Sequence, residues 1–324
     1  MEKIRIGIAG YGNLGRGVEA ALSQSSDMEL AAVLSRRTAL KTNTGVSVFP
    51  LDSAADHRDK IDVMILCGGS RDDLPQQGPA LAAHFTTVDS FDTHAKIPDY
   101  FARVDAVARS SNNVAIISVG WDPGLFSLIR LYGEATLPQG HTTTFWGKGV
   151  SQGHSDALRR VPGVAGAVQY TVPVEAAVEQ ARNGQGENLS TREKHTRHCY
   201  VVLAEGADQD RVRELITTMP DYFADYETTV NFISAEELAR DHGAMPHGGF
   251  VIRHAKAGSG TGHKLEFSLQ LESNPDFTAS VLVAYARAAH RLKSAGESGA
   301  RTVLDIAPVL LSPKKPEDLR RELL

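Results

Sequence analysis

The chain has 324 residues, of which 42% are hydrophobic and 23% are charged, and its formal net charge at pH 7 is −5. This balance is typical of a soluble globular enzyme of about two domains, and it argues against a nucleic-acid-binding protein, which would carry an excess of basic residues. Cys67 and Cys199 are too far apart for a disulfide framework or a Cys-x-x-Cys metal site, and no signal peptide or membrane span is evident, so we expect a cytoplasmic protein.

The N-terminal segment predicts a strand, a glycine-rich turn and a helix. Ile4–Ala9 is apolar and runs directly into a G-x-G-x-x-G motif. In such a motif the first glycine permits the tight turn, the second admits a pyrophosphate, and the third lets the helix pack on the strand. Leu14, Val18 and Leu22 then form the apolar stripe of a helix whose N-terminal N–H groups can bind phosphate. The residues predicted to bind a dinucleotide here are Gly10, Tyr11, Gly12, Asn13, Leu14 and Gly15.

The end of the second predicted strand distinguishes between the two nicotinamide cofactors. Glu29–Leu34 is followed by Ser35, Arg36 and Arg37, where an NAD enzyme would carry an acidic residue for the ribose 2′-hydroxyl. A carboxylate would repel a 2′-phosphate, whereas a hydroxyl and two guanidinium groups can bind it. We therefore predict NADP as the cofactor. The alternative is an unrelated glycine turn followed by two solvated arginines.

Further strands alternate with helices up to about residue 120. Ile61–Cys67 is almost continuously apolar, and Thr86–Asp89 and Val114–Ser118 flank a predicted helix from Pro98 to Ser110. This order predicts an α/β domain over residues 1–122 with a Rossmann-type, doubly wound parallel sheet. Ligands of such sheets bind beyond the carboxyl ends of the strands. Further cofactor contacts are therefore predicted at Cys67, Gly68, Gly69, Ser70, Ser90, Phe91, Asp92, Val119, Gly120, Trp121, Asp122 and Pro123.

Beyond about residue 124 we expect strands with a period of two. His263–Glu272 is the best example, because Leu265, Phe267 and Leu269 alternate with polar residues. The pattern predicts an α+β domain over residues 123–274 with a mixed sheet for substrate binding and dimerisation. The C-terminal segment from about 275 to 324 is predicted to pack back on the first domain. A second domain whose strands have one apolar and one polar face suggests a homodimer. The other predicted strands cover 142–146, 167–172 and 199–203, and the helices cover 156–160, 175–182, 209–219 and 277–295.

Two aspartates and a histidine are candidate catalytic residues. Asp92 and Asp122 follow strands of the first domain, where a carboxylate can hold an ammonium group, help to remove its proton and orient water. The alternatives are a capping or turn role for Asp92 and an Asx turn before Pro123 for Asp122. His154 is a candidate proton carrier because imidazole titrates near working pH, or it anchors a helix start.

A metal site at the neighbouring residues His195, His198 and Cys199 is disfavoured. Residues so close on one strand point to alternate faces, and no second pair of ligands follows in the sequence. We therefore expect no metal.

Several motifs together resemble those of the meso-diaminopimelate dehydrogenases, which are NADP-dependent D-amino acid dehydrogenases of bacterial lysine and cell-wall precursor synthesis. The resemblance covers essentially the whole chain, and several of its motifs lie outside any cofactor fingerprint. The motifs are Gly10–Arg16, Leu34–Arg37, Val119–Gly124, Ser151–Arg160, Met219–Tyr222, Met245–Gly249 and Asn274–Ser280.

The resemblance implies oxidation of the D-centre of meso-2,6-diaminopimelate. Hydride passes to NADP, the imine is hydrolysed, ammonia leaves, and the L-2-amino-6-oxopimelate cyclises to tetrahydrodipicolinate. Arg197 would supply a planar fork for the carboxylate of the L-centre, so that only a D-configured far centre presents its C–H bond. The family also implies a homodimer. The implied substrate-binding residues are Asp92, Asp122, Trp146, Gln152, Gly153, His154, Thr171, Arg197, His247 and Asn274.

Three other functions compete with this interpretation. The first is another two-domain NADP oxidoreductase, such as a sugar dehydrogenase or dihydrodipicolinate reductase, although the Glu-Lys-Pro segment typical of the sugar enzymes is absent. The second is an NADP-dependent dehydrogenase of other D-amino acids. The third is a redox sensor that binds NADP without turnover, which would not need the polar set Asp92, Asp122, Thr171, Arg197 and His247.

Overall fold

The computed structural model describes residues 2–37 and 39–324. The chain forms two compact units, the first reaching Leu128 and including Pro275–Leu324, the second comprising Ile129–Asn274. The two domains expected from the sequence, which divide at residue 122, stay a prediction. Among the described residues, no helix combines the length and the apolar character needed to cross a membrane.

Strands and helices alternate along the first part of the chain, with 3-10 helices at Leu51–Lys60 and His94–Lys96. The elements are β1 (Ile4–Ala9), α1 (Asn13–Ser23), β2 (Met28–Ser35), β3 (Val48–Pro50), β4 (Val63–Leu66), α2 (Leu74–Ala82), β5 (Thr86–Asp89), α3 (Ile97–Ser110), β6 (Val114–Ile116) and α4 (Leu125–Thr136).

The rest of the chain adds longer strands and one long helix. The elements are β7 (Gly140–Trp146), β8 (Gly149–Val150), α5 (Gln152–Arg159), β9 (Val164–Pro173), α6 (Glu175–Arg182), α7 (Thr191–Lys194), β10 (His195–Leu203), α8 (Gln209–Thr217), β11 (Glu227–Phe232), α9 (Ala235–Asp241), β12 (His247–Lys256), β13 (Gly262–Leu271), α10 (Asn274–Ser294), β14 (Gly299–Arg301) and α11 (Pro316–Leu323). Two further 3-10 helices, Val303–Asp305 and Pro308–Leu310, lie between β14 and α11.

The first unit is built on a seven-stranded sheet in the order β14-β6-β5-β4-β1-β2-β3. Every pair of neighbouring strands runs parallel. Both faces are covered, since Val63 and Ile65 of β4 join a core with α1 and α10, whereas Met64 and Leu66 join a core with α2 and α3. The predicted doubly wound α/β fold is therefore confirmed.

The parallel order brings the turns of the predicted cofactor site to one edge of this sheet. β4 lies between β1 and β5, and β5 pairs with β6. The carboxyl ends of all these strands point the same way, so the residues that follow them form one rim. The C-terminal segment contributes to the same unit, because β14 pairs with β6 and α10 packs in its core.

The second unit contains two sheets. The first is four-stranded, in the order β11-β10-β9-β8, and it is mixed because β10 pairs parallel with β11 and antiparallel with β9. The second is a three-stranded antiparallel sheet in the order β13-β12-β7. The predicted α+β region with a mixed sheet is confirmed, and the separate antiparallel sheet was not foreseen.

The segment directly after residue 124 contradicts the expectation of strands, because it forms helix α4. Phe126 is fully buried, but Leu131 and Tyr132 are 43% and 51% exposed. Leu125, Leu128, Ile129 and Tyr132 nevertheless recur at helical spacing, opposite polar residues, so the sequence does carry a helical period here and the expectation of strands was wrong. The alternation predicted for β13 is confirmed, since Leu265, Phe267 and Leu269 are half-buried between exposed polar neighbours.

Candidate active site

The glycine turn after β1 has the geometry that its motif requires. Gly10 adopts φ +96°, and its N–H donates to the Leu34 carbonyl oxygen over 2.8 Å. A Cβ atom at Gly15 would lie 2.2 Å from the Gly10 oxygen, so only glycine lets the helix approach the turn this closely. A Cβ atom at Gly12 would meet nothing within 4 Å. The turn is thus open at Gly12, where a pyrophosphate would approach.

Helix α1 offers its first N–H groups without competition from a side chain. Gly12 is the N-cap residue, no side chain caps the helix, and its first turn contains no acidic residue. Uncapped N–H groups and the positive end of the helix dipole favour an anion at this position.

A cavity of about 460 Å³ lies beside this turn in the first unit. It brings together the turn, the end of β2 and the end of β4, which the sequence analysis had each assigned to the cofactor. Such a volume, with Arg36 and Arg37 in its lining, suits a phosphorylated fragment of a dinucleotide. The lining residues are Gly10, Tyr11, Gly12, Ser35, Arg36, Arg37, Leu51, Cys67, Gly68, Asp73 and Gln77.

The basic segment after β2 is arranged to present a hydroxyl and two guanidinium groups. Ser35 is buried, and its Oγ accepts the Arg37 N–H over 3.0 Å. Arg37 Nη2 donates to the Tyr11 carbonyl oxygen over 3.0 Å. The Arg36 side chain is 73% exposed and its Nη2 lies 2.9 Å from Asp73 Oδ1. The sequence gives no signal for Asp73, which precedes α2 and meets Arg36 only in the folded chain.

The two candidate catalytic aspartates follow neighbouring strands. Asp92 follows β5; its side chain is exposed, and its N–H donates to Ser70 Oγ over 3.1 Å, which ties the turn after β5 to that after β4. Asp122 follows β6 and is half-buried. Both aspartates therefore lie on the rim where the strands end.

The second unit encloses a guanidinium group on β10. Arg197 is opposite Thr171 in the antiparallel pair of β9 and β10, and its Nη1 donates to Thr171 Oγ1. The guanidinium carbon lies 3.8 Å from the centre of the Tyr226 ring. Arg197 is 6% exposed and its buried Nε–H has no hydrogen-bond partner. Burial lowers the pKa of this guanidinium, and the described residues supply no ion-pair partner. These features favour binding of a carboxylate.

Two further predicted substrate residues lie near this pair. Gly149 of β8 pairs with Thr171, and a Cβ atom at Gly149 would lie 2.5 Å from the His247 Cα atom. His247 is therefore adjacent to β8, the strand that pairs with β9 at Thr171. Asn274 follows β13, and its N–H donates to the Met245 carbonyl oxygen over 2.9 Å, which places it beside the start of β12.

Trp146 contacts His195, a residue for which the sequence predicted no role at the site. Its N–H donates to His195 Nε2 over 2.9 Å, and the two rings are stacked at 5.5 Å. His195 is buried, and burial lowers its pKa to about 3, so the imidazole is neutral and an acceptor at Nε2. Nothing in the basic segment around His195 pointed to this role, because the contact joins two sheets.

His154 lies on α5 and is neutral at pH 7. Its Nδ1 lies 2.7 Å from Ser151 Oγ, and its ring packs edge-on against Tyr222 and Phe223 at 5.4 and 5.7 Å. Burial, together with the charge of Arg197, lowers the pKa of His154 to about 4. The Ser151 contact fits the helix-anchor alternative, while a neutral imidazole can also accept a proton. Gln152 and Gly153, just before it, are exposed.

Comparisons with known proteins identify the family. A relative named meso-diaminopimelate D-dehydrogenase from Ureibacillus thermosphaericus is 64% identical, and the match covers 100% of both chains. The chain belongs to the meso-diaminopimelate D-dehydrogenase family. The profile of the diaminopimelic acid dehydrogenase C-terminal domain matches residues 120–273.

Solved structures agree with this family. The C. glutamicum DAP dehydrogenase in complex with DAP is 48% identical, covers 100% of both chains and superposes with a TM-score of 0.95. An engineered D-amino acid dehydrogenase bound to NADP⁺ is 46% identical, with a TM-score of 0.90 over 99% of this chain and 100% of its own. The resemblance inferred from the motifs is confirmed.

Each unit of this dehydrogenase gathers part of the predicted site. In the first unit, the cavity collects the glycine turn and the basic segment, and the rim carries Asp92 and Asp122. In the second unit, Thr171 and Arg197 are paired, and His247 lies beside Gly149, which also pairs with Thr171. The roles of the individual residues stay predictions.

Proposed function

We propose that the protein catalyses the NADP-dependent, reversible oxidative deamination of the D-centre of meso-2,6-diaminopimelate. The reaction consumes water and NADP⁺ and yields L-2-amino-6-oxopimelate, ammonium, NADPH and a proton; the product cyclises to tetrahydrodipicolinate. The observation that carries this proposal is the 64% identity, over the full length of both chains, to a meso-diaminopimelate D-dehydrogenase. We assign the reaction to lysine biosynthesis.

The first unit is proposed to bind NADP. The open approach at Gly12 and the uncapped start of α1 suit the pyrophosphate, and Ser35, Arg36 and Arg37 suit the 2′-phosphate. Bound NADP⁺ supplies the acceptor for the hydride of the D-centre. The turns Cys67–Ser70, Ser90–Asp92 and Val119–Pro123 are proposed to line the rest of the cofactor.

The second unit is proposed to hold the unreactive L-centre. Arg197 would bind its carboxylate through the unpartnered Nε–H and the fork of the guanidinium, and Thr171, His247 and Asn274 would add polar contacts. Binding satisfies a buried donor that otherwise has no partner. The gain is therefore large for a substrate with a carboxylate at this end and small for one without it.

At the reacting end, Asp92 and Asp122 are proposed to hold the ammonium group, accept its proton and orient the attacking water. Both are carboxylates on the rim where the strands end. Trp146 is proposed as a pocket wall, held by His195. His154, with Gln152 and Gly153 before it, is proposed to contact the substrate. Its pKa of about 4 keeps the imidazole neutral and makes it a weak base at pH 7, so the two aspartates are the proposed proton acceptors.

The protein is proposed to be a cytoplasmic homodimer. The half-buried apolar side chains of β13, an edge strand of its sheet, support an interface on the second unit. Sedimentation of the purified protein tests this assembly: a dimer is expected, and a monomer at micromolar concentration contradicts it.

The reaction is tested by measuring NADPH formation with the separate isomers of diaminopimelate. We expect turnover of the meso isomer with NADP⁺, and rates at least about 100-fold lower with the L,L isomer, whose charges would be left unpaired. D-alanine and D-lysine serve as controls for the competing activity on other D-amino acids. Equal rates with the L,L isomer, or a preference for a simple D-amino acid, would contradict the proposal.

A further inference from the structure

A buried carboxylate at the end of β5 has no part in the reaction as proposed above. Asp89 is 2% exposed. Its Oδ1 accepts the N–H of Phe91 over 2.9 Å and the N–H of Ser118 over 3.1 Å. Its Oδ2 accepts the hydroxyl of Tyr100 over 2.7 Å. One carboxylate oxygen thus holds two different turns of the chain.

Those two turns carry the candidate catalytic aspartates. Phe91 precedes Asp92, and Ser118 begins the stretch that leads to Asp122. The ladder between β5 and β6 pairs only Thr87 with Ala115 and Val88 with Ile116. Beyond the ladder, the connection between the two strands is made by residue 89, through its carboxylate and through its carbonyl oxygen, which accepts the Val119 N–H over 2.9 Å.

Neighbouring aromatic rings fix the carboxylate in place. Tyr100 of α3 is 2% exposed and stacks on Phe91 at 4.1 Å. A Cβ atom on Gly78 of α2 would lie 2.0 Å from the Tyr100 hydroxyl oxygen, so α2 closes over this hydroxyl. Ser118 adopts φ +58°, a conformation that a non-glycine residue keeps only when its surroundings enforce it.

Asp89 is an unfavourable choice for packing alone. Burial raises its pKa to about 6, against the hydrogen bonds from Phe91, Tyr100 and Ser118, which favour the ionised form. An apolar side chain would fill the space without that cost, but it would leave the N–H groups of Phe91 and Ser118 buried and unpaired. The acceptor oxygen is therefore the feature that this position requires.

We infer that Asp89 is a positioning residue for the dehydrogenase reaction, because its Oδ1 sets the spacing between the turns that carry Asp92 and Asp122. The inference rests on the proposed function, in which these two aspartates act on the same ammonium group. It assigns Asp89 no contact with the substrate. Its effect on turnover passes through the two turns.

Three substitutions separate this role from a merely structural one. Asp89→Asn keeps an acceptor oxygen for both N–H groups and turns its amide toward the Tyr100 oxygen. Asp89→Ala removes the acceptor, and Asp89→Glu keeps the carboxylate but displaces it by one methylene. Tyr100→Phe is the matched control, because it deletes a hydrogen bond to the same carboxylate and leaves both turn contacts intact.

The assays are kcat and KM for meso-diaminopimelate at saturating NADP⁺, the melting temperature, and the affinity for 2′,5′-ADP, which probes the phosphate pocket at the other end of the cofactor. We expect kcat to fall at least about tenfold in Asp89→Ala and Asp89→Glu and to stay within about threefold in Asp89→Asn and Tyr100→Phe, although Tyr100→Phe melts earlier. Affinity for 2′,5′-ADP should stay within about twofold in all four.

Two results would overturn the inference while leaving the proposed function intact. One is a wild-type kcat in Asp89→Ala, or in Asp89→Glu if the alanine variant does not fold. The other is a loss in Asp89→Asn as large as in Asp89→Glu, which would show that an acceptor oxygen at the native position is not sufficient for the role. If the wild-type enzyme does not oxidise meso-diaminopimelate, the proposed function fails and the inference fails with it.

Discussion

Replacing Arg197 with methionine should separate substrate binding from folding. The guanidinium is 6% exposed, donates to Thr171 and lies against the Tyr226 ring, and its Nε–H has no partner. Removing one partner of a buried, hydrogen-bonded charge pair costs about 2–5 kcal/mol of binding. We therefore expect kcat/KM for meso-diaminopimelate to fall by a factor between about 30 and several thousand.

The same substitution should cost little stability. Burial lowers the pKa of the Arg197 guanidinium, which means that the fold disfavours its charged form. Methionine removes that charge and keeps most of the length of the side chain, while the lost stacking on Tyr226 and the lost hydrogen bond to Thr171 are each worth about 1 kcal/mol. The free energy of unfolding should therefore change by less than about 2 kcal/mol.

The assay follows NADPH absorbance over a range of substrate concentrations, with NADPH affinity measured by fluorescence and stability by urea unfolding. NADPH affinity should not change, because the dinucleotide cavity belongs to the first unit and Arg197 to the second. Arg213→Met is the matched control: Arg213 lies over the Phe232 ring at 4.9 Å and donates to the Val230 oxygen, outside the predicted site. An unchanged kcat/KM in Arg197→Met would refute the role given to Arg197.

Three further predictions concern the first unit. Arg36→Ala should raise the KM for NADP⁺ at least about tenfold and leave kcat at saturation nearly unchanged, since the 2′-phosphate is remote from the reacting carbon; steady-state kinetics that show an unaltered KM would contradict its role. Gly15→Ala should lower the melting temperature and the affinity for 2′,5′-ADP, because the new Cβ would lie 2.2 Å from the Gly10 oxygen; a stable variant of normal affinity would show that the turn adapts. The pKa of Asp89 is raised to about 6, so protonated Asp89 stabilises the fold at low pH, and this contribution is lost as pH rises through about 6. Relative to Asp89→Asn, the wild type should lose about 2 kcal/mol of unfolding free energy between pH 4 and 8. A difference in unfolding free energy between the two proteins that stays constant over this pH range, measured by urea unfolding, would contradict the raised pKa.

Local sequence patterns predicted the part of the fold in which burial follows a simple period. β1, α1 and β2 were predicted because an apolar strand, a glycine turn and an amphipathic helix follow one another. β13 was predicted because one of its faces is exposed to solvent, so apolar and polar residues alternate. β12, His247–Lys256, was missed because both of its faces are largely buried, so its apolar and polar residues do not alternate. Helix α4 was missed although its apolar residues recur at helical spacing, because the segment after residue 124 was interpreted by the strand pattern that follows it.

The residues of the predicted site also divide into those that a local sequence pattern reveals and those that it does not. Ser35, Arg36 and Arg37 could be predicted because they lie at a fixed distance in sequence from the glycine turn. Thr171 and Arg197 were assigned only through the family resemblance, and their contact depends on the register of β9 against β10. Asp73, His195, Tyr226 and Asp89 act through partners far away in sequence, so no local pattern could reveal them.

The choice of the reacting carbon is the central claim, and isotope transfer tests it most directly. Meso-diaminopimelate with deuterium on its D α-carbon should give NADPH that carries the deuterium, as seen by mass spectrometry, and substrate labelled only on the L α-carbon should give unlabelled NADPH. Deuterium transferred from the L α-carbon would contradict the account, because the end of the substrate assigned to Arg197 would then be the one that reacts.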